Sequence, residues 1–283
     1  MPADESHYEP EVVDPHSGAR PLLRKHASSI LNRVLQNCSG RAVVFDLDST
    51  LLNNRPRSAL IMREFAREYD IEALSTARAG HWQDWSAATA MANIGLHKAM
   101  IDQHIDAFEG YWRERFFTSD YCTHDEPLEG AVDFVSCVER AGGHIIYLTG
   151  RPTGMHEGTI DCFRRHGFPL PQSAKTTSSN PAADARGAEV TLKMKPRFDG
   201  SDDEFKQKQA LLLAGATSTT TATAAATSHH STNVAAVFDN EPQHINTYNE
   251  LMTGTECIHL FTDHSMRAIP LQPGIPSIRD FKR

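Results

Sequence analysis

The chain has 283 residues, 40% of them hydrophobic and 23% charged, with 28 Lys and Arg against 36 Asp and Glu. This is the profile of a globular protein with length for one large domain, or for a core with a smaller companion. The longest apolar runs, Ala42-Val43-Val44-Phe45 and Ile145-Ile146-Tyr147-Leu148, exclude a helical membrane span, which needs roughly 20 such residues. The formal charge of −8 repels phosphate backbones and disfavours extended nucleic-acid binding. Residues 1–18 lack the basic start and apolar middle of a secretory leader, so a cytoplasmic location is expected. Cys38, Cys122, Cys137, Cys162 and Cys257 show no Cys-x-x-Cys spacing and read as unpaired thiols rather than disulfides or zinc ligands.

In chain order, polar residues 1–18 read as a disordered lead, followed by a helix over about 21–37 in which Leu22, Leu23, Ile30, Leu31, Val34 and Leu35 recur at roughly helical spacing. Ala42–Phe45 is a short buried strand that stops at Asp46-Leu47-Asp48-Ser49-Thr50. From Ser58 to about Phe117 the period becomes helical, with Ile61, Phe65 and Tyr69 four apart and an aromatic stripe that includes Trp82, Trp85 and Trp112; at this spacing the stripe reads first as the core of a small bundle.

Beyond Pro127 the pattern alternates. Helices are expected over Ala131–Arg140, about His156–Arg165, Asp202–Leu213 and about Pro242–Leu251, and strands over His144–Leu148, Val190–Met194, Val234–Phe238 and Cys257–Phe261. Such alternation predicts an α/β fold, a mostly parallel sheet covered on both faces, with ligands bound at the strands' carboxyl ends. Between Ala214 and Thr232 lie nineteen residues, seven Thr, six Ala and three Ser among them, expected to form a low-complexity loop insertion whose closure entropy grows only slowly with length.

Three strand ends carry chemistry: Asp46-Leu47-Asp48, Thr149-Gly150-Arg151 and Asp239-Asn240-Glu241. Asp46 and Asp239 could share a Mg²⁺ ion through hard oxygen ligands. Thr149 offers a hydroxyl, Gly150 lets an anion approach the backbone, and Arg151 could grip a substrate anion or form a surface ion pair. A lysine at the start of the helix over Asp202–Leu213 would add fixed positive charge; Lys206 is preferred, with Lys193 and Lys195 as alternatives. Together these parts describe a site that holds a phosphoryl group and presents a carboxylate nucleophile to it. His156, His244 and His259 read as surface or satisfied core residues.

These motifs, in this order, resemble the four of the haloacid-dehalogenase-like hydrolase superfamily, over most of residues 41–261. The resemblance implies a Rossmann-like three-layer α/β/α core (19–52 and 127–283) with a small α-helical cap over 53–126, and a Mg²⁺-dependent phosphomonoester hydrolase acting on a small phosphorylated metabolite. It makes Asp46 the nucleophile that forms an aspartyl-phosphate and Asp48 the acid and base. Thr149, Gly150, Arg151 and Lys206 would bind the phosphoryl group, and Asp46, Asp239 and the Asp48 carbonyl would hold the metal. Asn240 and Glu241 stand where the family often has a second acid. A phosphomutase or a non-catalytic protein of the same fold remains open at this point. A glycosyltransferase, which also uses Asp-x-Asp, would not call for Thr149-Gly150 and a helix-start lysine in this order. The substrate and the oligomeric state are not legible.

Overall fold

A computed structural model describes residues 7–10, 12–174, 188–215 and 233–283. Its centre is a six-stranded sheet, β1 (Ala42–Phe45), β4 (His144–Pro152), β5 (Val190–Lys195), β6 (Val234–Asp239), β7 (Glu256–Leu260) and β8 (Ser277–Ile278), in the order β5-β4-β1-β6-β7-β8 with every pair parallel. All four residues of β1 and all six of β6 are buried, as expected for strands covered on both faces. One apolar cluster joins α1 (Arg24–Asn37), α5 (Ala131–Arg140) and α6 (His156–His166) to the sheet, with Phe134 of α5 against Phe45 and Phe238. Another apolar cluster joins Val44 and Val237 to Ala210 of α7 (Asp202–Leu213) and to Ile245 and Tyr248 of α8 (Pro242–Leu251). The fold is thus a Rossmann-like α/β/α core.

Local signals explain the helix boundaries. Ser201 caps α7 by accepting the Glu204 amide at 3.3 Å, and Asp202, Asp203 and Glu204 complement the positive end of the helix dipole. Pro242 begins α8, where its missing N–H has no cost. Residues between β1 and β4 make a separate apolar cluster: Phe65 of α2 (Arg55–Glu68) meets Phe108 and Tyr111 of α4 (Lys98–Phe116), with Met91 of α3 (Ala87–Ile94) alongside. Its two chain crossings, β2 (Leu52–Asn53) and β3 (Glu126–Pro127), pair as a short antiparallel ribbon, Leu52↔Pro127 and Asn53↔Glu126, that no periodicity announced.

Three expectations are corrected. Residues 12–18, read as disordered, pack against the chain's other end: Asp14 and Ser17 are buried, Asp14 Oδ2 meets His264 Nε2 at 2.9 Å, and Leu271 donates its amide to Ser17 O at 2.9 Å. These partners lie some 250 residues away, beyond the reach of any local pattern. The strand expected over His144–Leu148 continues to Pro152, because Pro152 pairs with Lys195 of β5 after a bulge, so Thr149, Gly150 and Arg151 sit within it. The first helix begins at Arg24 rather than near residue 21, Pro21 and Leu22 being tied up in bridges to Ser277 and Tyr8. The Ala214–Thr232 insertion falls, beyond Gly215, outside the described residues. All five cysteines are unpaired, four of them buried. Among the described residues no helix is long and apolar enough to cross a membrane.

Candidate active site

β1 lies between β4 and β6, so the carboxyl ends of the three motif-bearing strands are neighbours, and the Asp46 amide donates to Phe238 O across one of those seams at 2.9 Å. From α7, Lys206 inserts its ammonium between the first and last motifs: Nζ is 2.6 Å from Asp46 Oδ1 and 2.7 Å from Asp239 Oδ2, with all three side chains buried. Lys195 instead reaches Gly200 O at 2.8 Å and Asp202 at 2.5 Å. Lys206, and not Lys195, is thus the lysine placed between the two motifs.

Burial raises the proton affinity of Asp46 to a pKa of about 7, against the pull of Lys206 and with the help of the neighbouring Asp239 charge. Burial acts the same way on Asp239, but Lys206 and His244 overcome it and hold that carboxyl well below the usual range. Burial of Lys206 is in turn outweighed by Asp239 and Asp46, which keep it charged.

Asp48 is held differently. Arg151 grips it through Nε at 3.0 Å and Nη2 at 2.6 Å, and Arg57 Nη2 approaches to 3.1 Å. Burial alone would raise its pKa, yet the two guanidiniums lower it to about 2. Both arginines also reach Asp125, at 2.6 and 2.9 Å, and Arg151 donates to Thr159 at 3.1 Å. Arg151 is thus neither a surface ion pair nor free for substrate; it is 1% exposed and joined to Asp48 and Asp125.

A cavity of about 370 Å³ opens onto these groups, lined by Asp46, Asp48, Gly150, Arg151 and Lys206 and by the aromatic rings of Trp85, Trp112, Phe116 and Phe117. Thr149 is fully buried behind it, its hydroxyl accepting the Arg151 amide at 3.1 Å. The anion closest to Gly150 is the protein's own Asp202, whose Oδ2 would lie 2.5 Å from a Cβ at that position. Asn240 receives the Thr50 hydroxyl at 3.0 Å and donates to Asp263 O at 2.6 Å; Glu241 is engaged by Ser265 at 2.6 Å and Arg267 at 3.2 Å.

His259 is a satisfied core residue and His156 a half-buried one beside Glu157, but His244 belongs to the site, 2.8 Å from Asp203 and 3.5 Å from Asp239. Burial and Lys206 oppose its protonation; Asp239 and Asp203 prevail and raise its pKa to about 9. Sequence reasoning missed Arg57, Asp125 and this role of His244, since each acts through contacts that no motif encodes.

Asp46 and Asp239 lie close enough for one ammonium to touch both, and both offer hard oxygens. Among the described residues no group of three His, Cys, Asp or Glu side chains could hold a metal. A cation here would rest on two carboxylates and complete its shell from a backbone carbonyl and water, a donor set that suits Mg²⁺.

No family model matches the chain, and no curated protein matches it. Among solved structures it is similar to a predicted phosphoglycolate phosphatase from Haemophilus somnus, at 14% identity over 85% of this chain and 94% of that one with a TM-score of 0.44. A haloacid dehalogenase-like family hydrolase from Streptococcus pneumoniae is similar at 10% identity, 84% and 93% coverage and a TM-score of 0.43. A dehalogenase is similar at 11% identity, 86% and 94% coverage and a TM-score of 0.42.

Proposed function

We propose that the protein is a haloacid-dehalogenase-like hydrolase that cleaves phosphomonoesters through an aspartyl-phosphate on Asp46, with Mg²⁺ as cofactor. One observation carries the reading: Asp46 and Asp239, at the ends of adjacent strands, share one buried lysine ammonium beside a cavity that Asp48 also lines. A carboxylate nucleophile, a fixed cation and a second carboxylate within one cavity match what phosphoryl transfer asks of a protein, which is chiefly positioning and charge neutralisation.

In the first step an Asp46 oxygen attacks phosphorus and the bond to the ester oxygen breaks, while Asp48, protonated, gives its proton to the departing alkoxide. In the second step Asp48, now ionised, takes a proton from water; the water oxygen attacks phosphorus, the bond from Asp46 breaks and phosphate leaves. Lys206 offsets charge on the transferring oxygens throughout. The arginine pair keeps Asp48 ionised in the free protein, so Asp48 takes its proton from solvent only when a phosphate dianion arrives and opposes the two guanidiniums. Asp46, Asp239 and the Asp48 carbonyl would hold Mg²⁺, which when bound neutralises phosphoryl charge. The helical module over 53–126 acts as the cap, excluding water and reading the alcohol half of the substrate.

The test is a phosphate-release screen over sugar phosphates, nucleotides and aryl and alkyl phosphomonoesters, with and without Mg²⁺, with 2-haloacids in parallel. Mg²⁺-dependent phosphate release is expected. Halide release without phosphatase activity would overturn the reading.

A further inference from the structure

The alcohol half of the substrate would meet a wall of rings. Trp112 stacks on Phe116 at 4.2 Å, and Phe117 packs edge-on to Phe116 at 5.1 Å and to Phe198 at 5.0 Å. Trp85 lines the same cavity and is 43% exposed. A second cavity of about 230 Å³ shares Trp85 and Trp112 as lining. Both indole N–H groups are already used: Trp85 Nε1 donates to Ser49 Oγ at 3.0 Å, directly beside Asp48, and Trp112 Nε1 donates to Ser58 Oγ at 3.1 Å. These bonds fix the rings in place and leave their apolar surfaces, not their donors, to a ligand.

The chain accepts local strain to present Trp85. Asp84 and Trp85 have φ of 50° and 55°, a left-handed conformation that two consecutive non-glycine residues rarely share. The turn is pinned by Asp263, whose Oδ1 accepts the Asp84 amide at 3.1 Å while its carboxylate is gripped by Arg55 at 2.5 and 2.6 Å. A large apolar side chain held half in solvent by a strained, braced turn gains nothing from core packing.

Charge narrows the class further. Lys206 serves the phosphoryl group, and the arginines on the cavity wall already have carboxylate partners: Arg151 has Asp48 and Asp125, and Arg267 has Asp203 and Glu241. Among the described residues, no uncompensated cation lines this cavity for a second anionic group on the substrate.

We infer that the substrate is a phosphomonoester whose alcohol carries an aromatic ring, seated against Trp85 and Trp112, and not one with a second carboxylate or phosphate. The inference rests on the phosphohydrolase reading and deepens it. The ring could be attached close to the ester, as in a benzyl-type phosphate, or be a nucleobase beyond a ribose.

Two matched pairs test it. Benzyl and cyclohexylmethyl phosphate release alcohols of similar size and basicity and differ in the ring; a nucleoside 5′-monophosphate and ribose 5-phosphate differ in the base. For at least one pair kcat/KM should favour the aromatic member about fivefold or more, within the range that ring–ring contacts supply. The pair with the larger ratio identifies where the ring sits. Trp85→Ala should bring that ratio towards one, and Trp85→Phe should keep it. Ratios near one in the parent protein, an unchanged ratio in Trp85→Ala, or faster turnover of 2-phosphoglycolate than of the aromatic esters would overturn the inference. If no ester is hydrolysed, the phosphohydrolase reading falls by itself. Calorimetric Kd values for benzylphosphonate and cyclohexylmethylphosphonate then decide the ring preference: a fivefold difference supports it and equal binding sinks it.

Discussion

The Arg151 guanidinium is clamped on the Asp48 carboxylate, with Nη2 at 2.6 Å, and the same nitrogen lies 2.6 Å from Asp125. Arg151 and Asp125 are almost wholly buried, so this contact shapes both the fold and the protonation of the residue proposed as acid. Arg151→Met would leave two carboxylates short of a partner in low dielectric, and a loss of about 3–5 kcal/mol in unfolding free energy is expected. Lys98→Met removes an exposed ion pair with Asp102 and should cost less than about 1 kcal/mol. Urea titration of the two variants checks the order, and equal losses would contradict it.

Asp46→Asn should abolish turnover, because the amide is neither a nucleophile nor an ionic partner for Lys206. Asp48→Asn should keep substrate binding and lose proton transfer, so kcat falls by about 10²–10⁴ with little change in KM. Initial rates over a range of substrate concentrations separate the two effects. Parental rates in either variant would remove the mechanism.

For the metal, Asp239→Ala should raise the Mg²⁺ concentration giving half-maximal activity far more than Asn240→Ala or Glu241→Ala. Asp239 ends β6 beside Asp46, whereas Asn240 is committed to Thr50 and Asp263, and Glu241 to Ser265 and Arg267. A group that only orients a ligand is worth about 10–100-fold, less than a coordinating carboxylate. Titration calorimetry with Mg²⁺ gives the same comparison without turnover, and a larger effect from Glu241→Ala would move the metal two residues along the chain.

Acid should destabilise the protein through His259. Its Nε2–H donates to Asn240 O at 3.0 Å and its Nδ1 accepts from Ser277 at 2.8 Å, both bonds suited to a neutral ring. Burial, with the nearby His264, pushes its pKa down to about 4, below the unfolded value near 6.5. As pH falls, the unfolded chain takes the proton first. Stability is therefore full above about 6.5 and is lost progressively down to about 4, by about 2 kcal/mol at pH 5. The melting temperature of His259→Gln should accordingly fall by about 4 °C less than that of the parent between pH 7.5 and 5. Identical falls would show that the ring is not the group titrating.

The carboxyl ends of β1, β4 and β6, and with them Asp46, Asp48 and Asp239, were legible from the sequence because each follows an apolar run in a chain of alternating strands and helices, a pattern set by local periodicity. The helices over Ala131–Arg140, Asp202–Leu213 and Pro242–Leu251 follow from the same kind of signal, with Ser201 and Pro242 marking two of their starts. What depends on long-range contact was not legible. The lead packs because Asp14 meets His264, Thr149 turns its hydroxyl to Arg151 instead of lining the cavity, and Arg57 reaches Asp48 while Asp125 holds Arg57 and Arg151 from a separate segment. The choice of Lys206 over Lys195 also needed three dimensions, since Lys195 ends β5 and turns to Gly200 and Asp202, whereas Lys206 in the second turn of α7 reaches Asp46. The tryptophans show the division most clearly. Helical spacing marked all three as core, which holds for Trp82, but the turn at Asp84 lifts Trp85 out of that core and into the cavity, because a backbone pinned by Asp263 and Arg55 overrides the side chain's preference for burial.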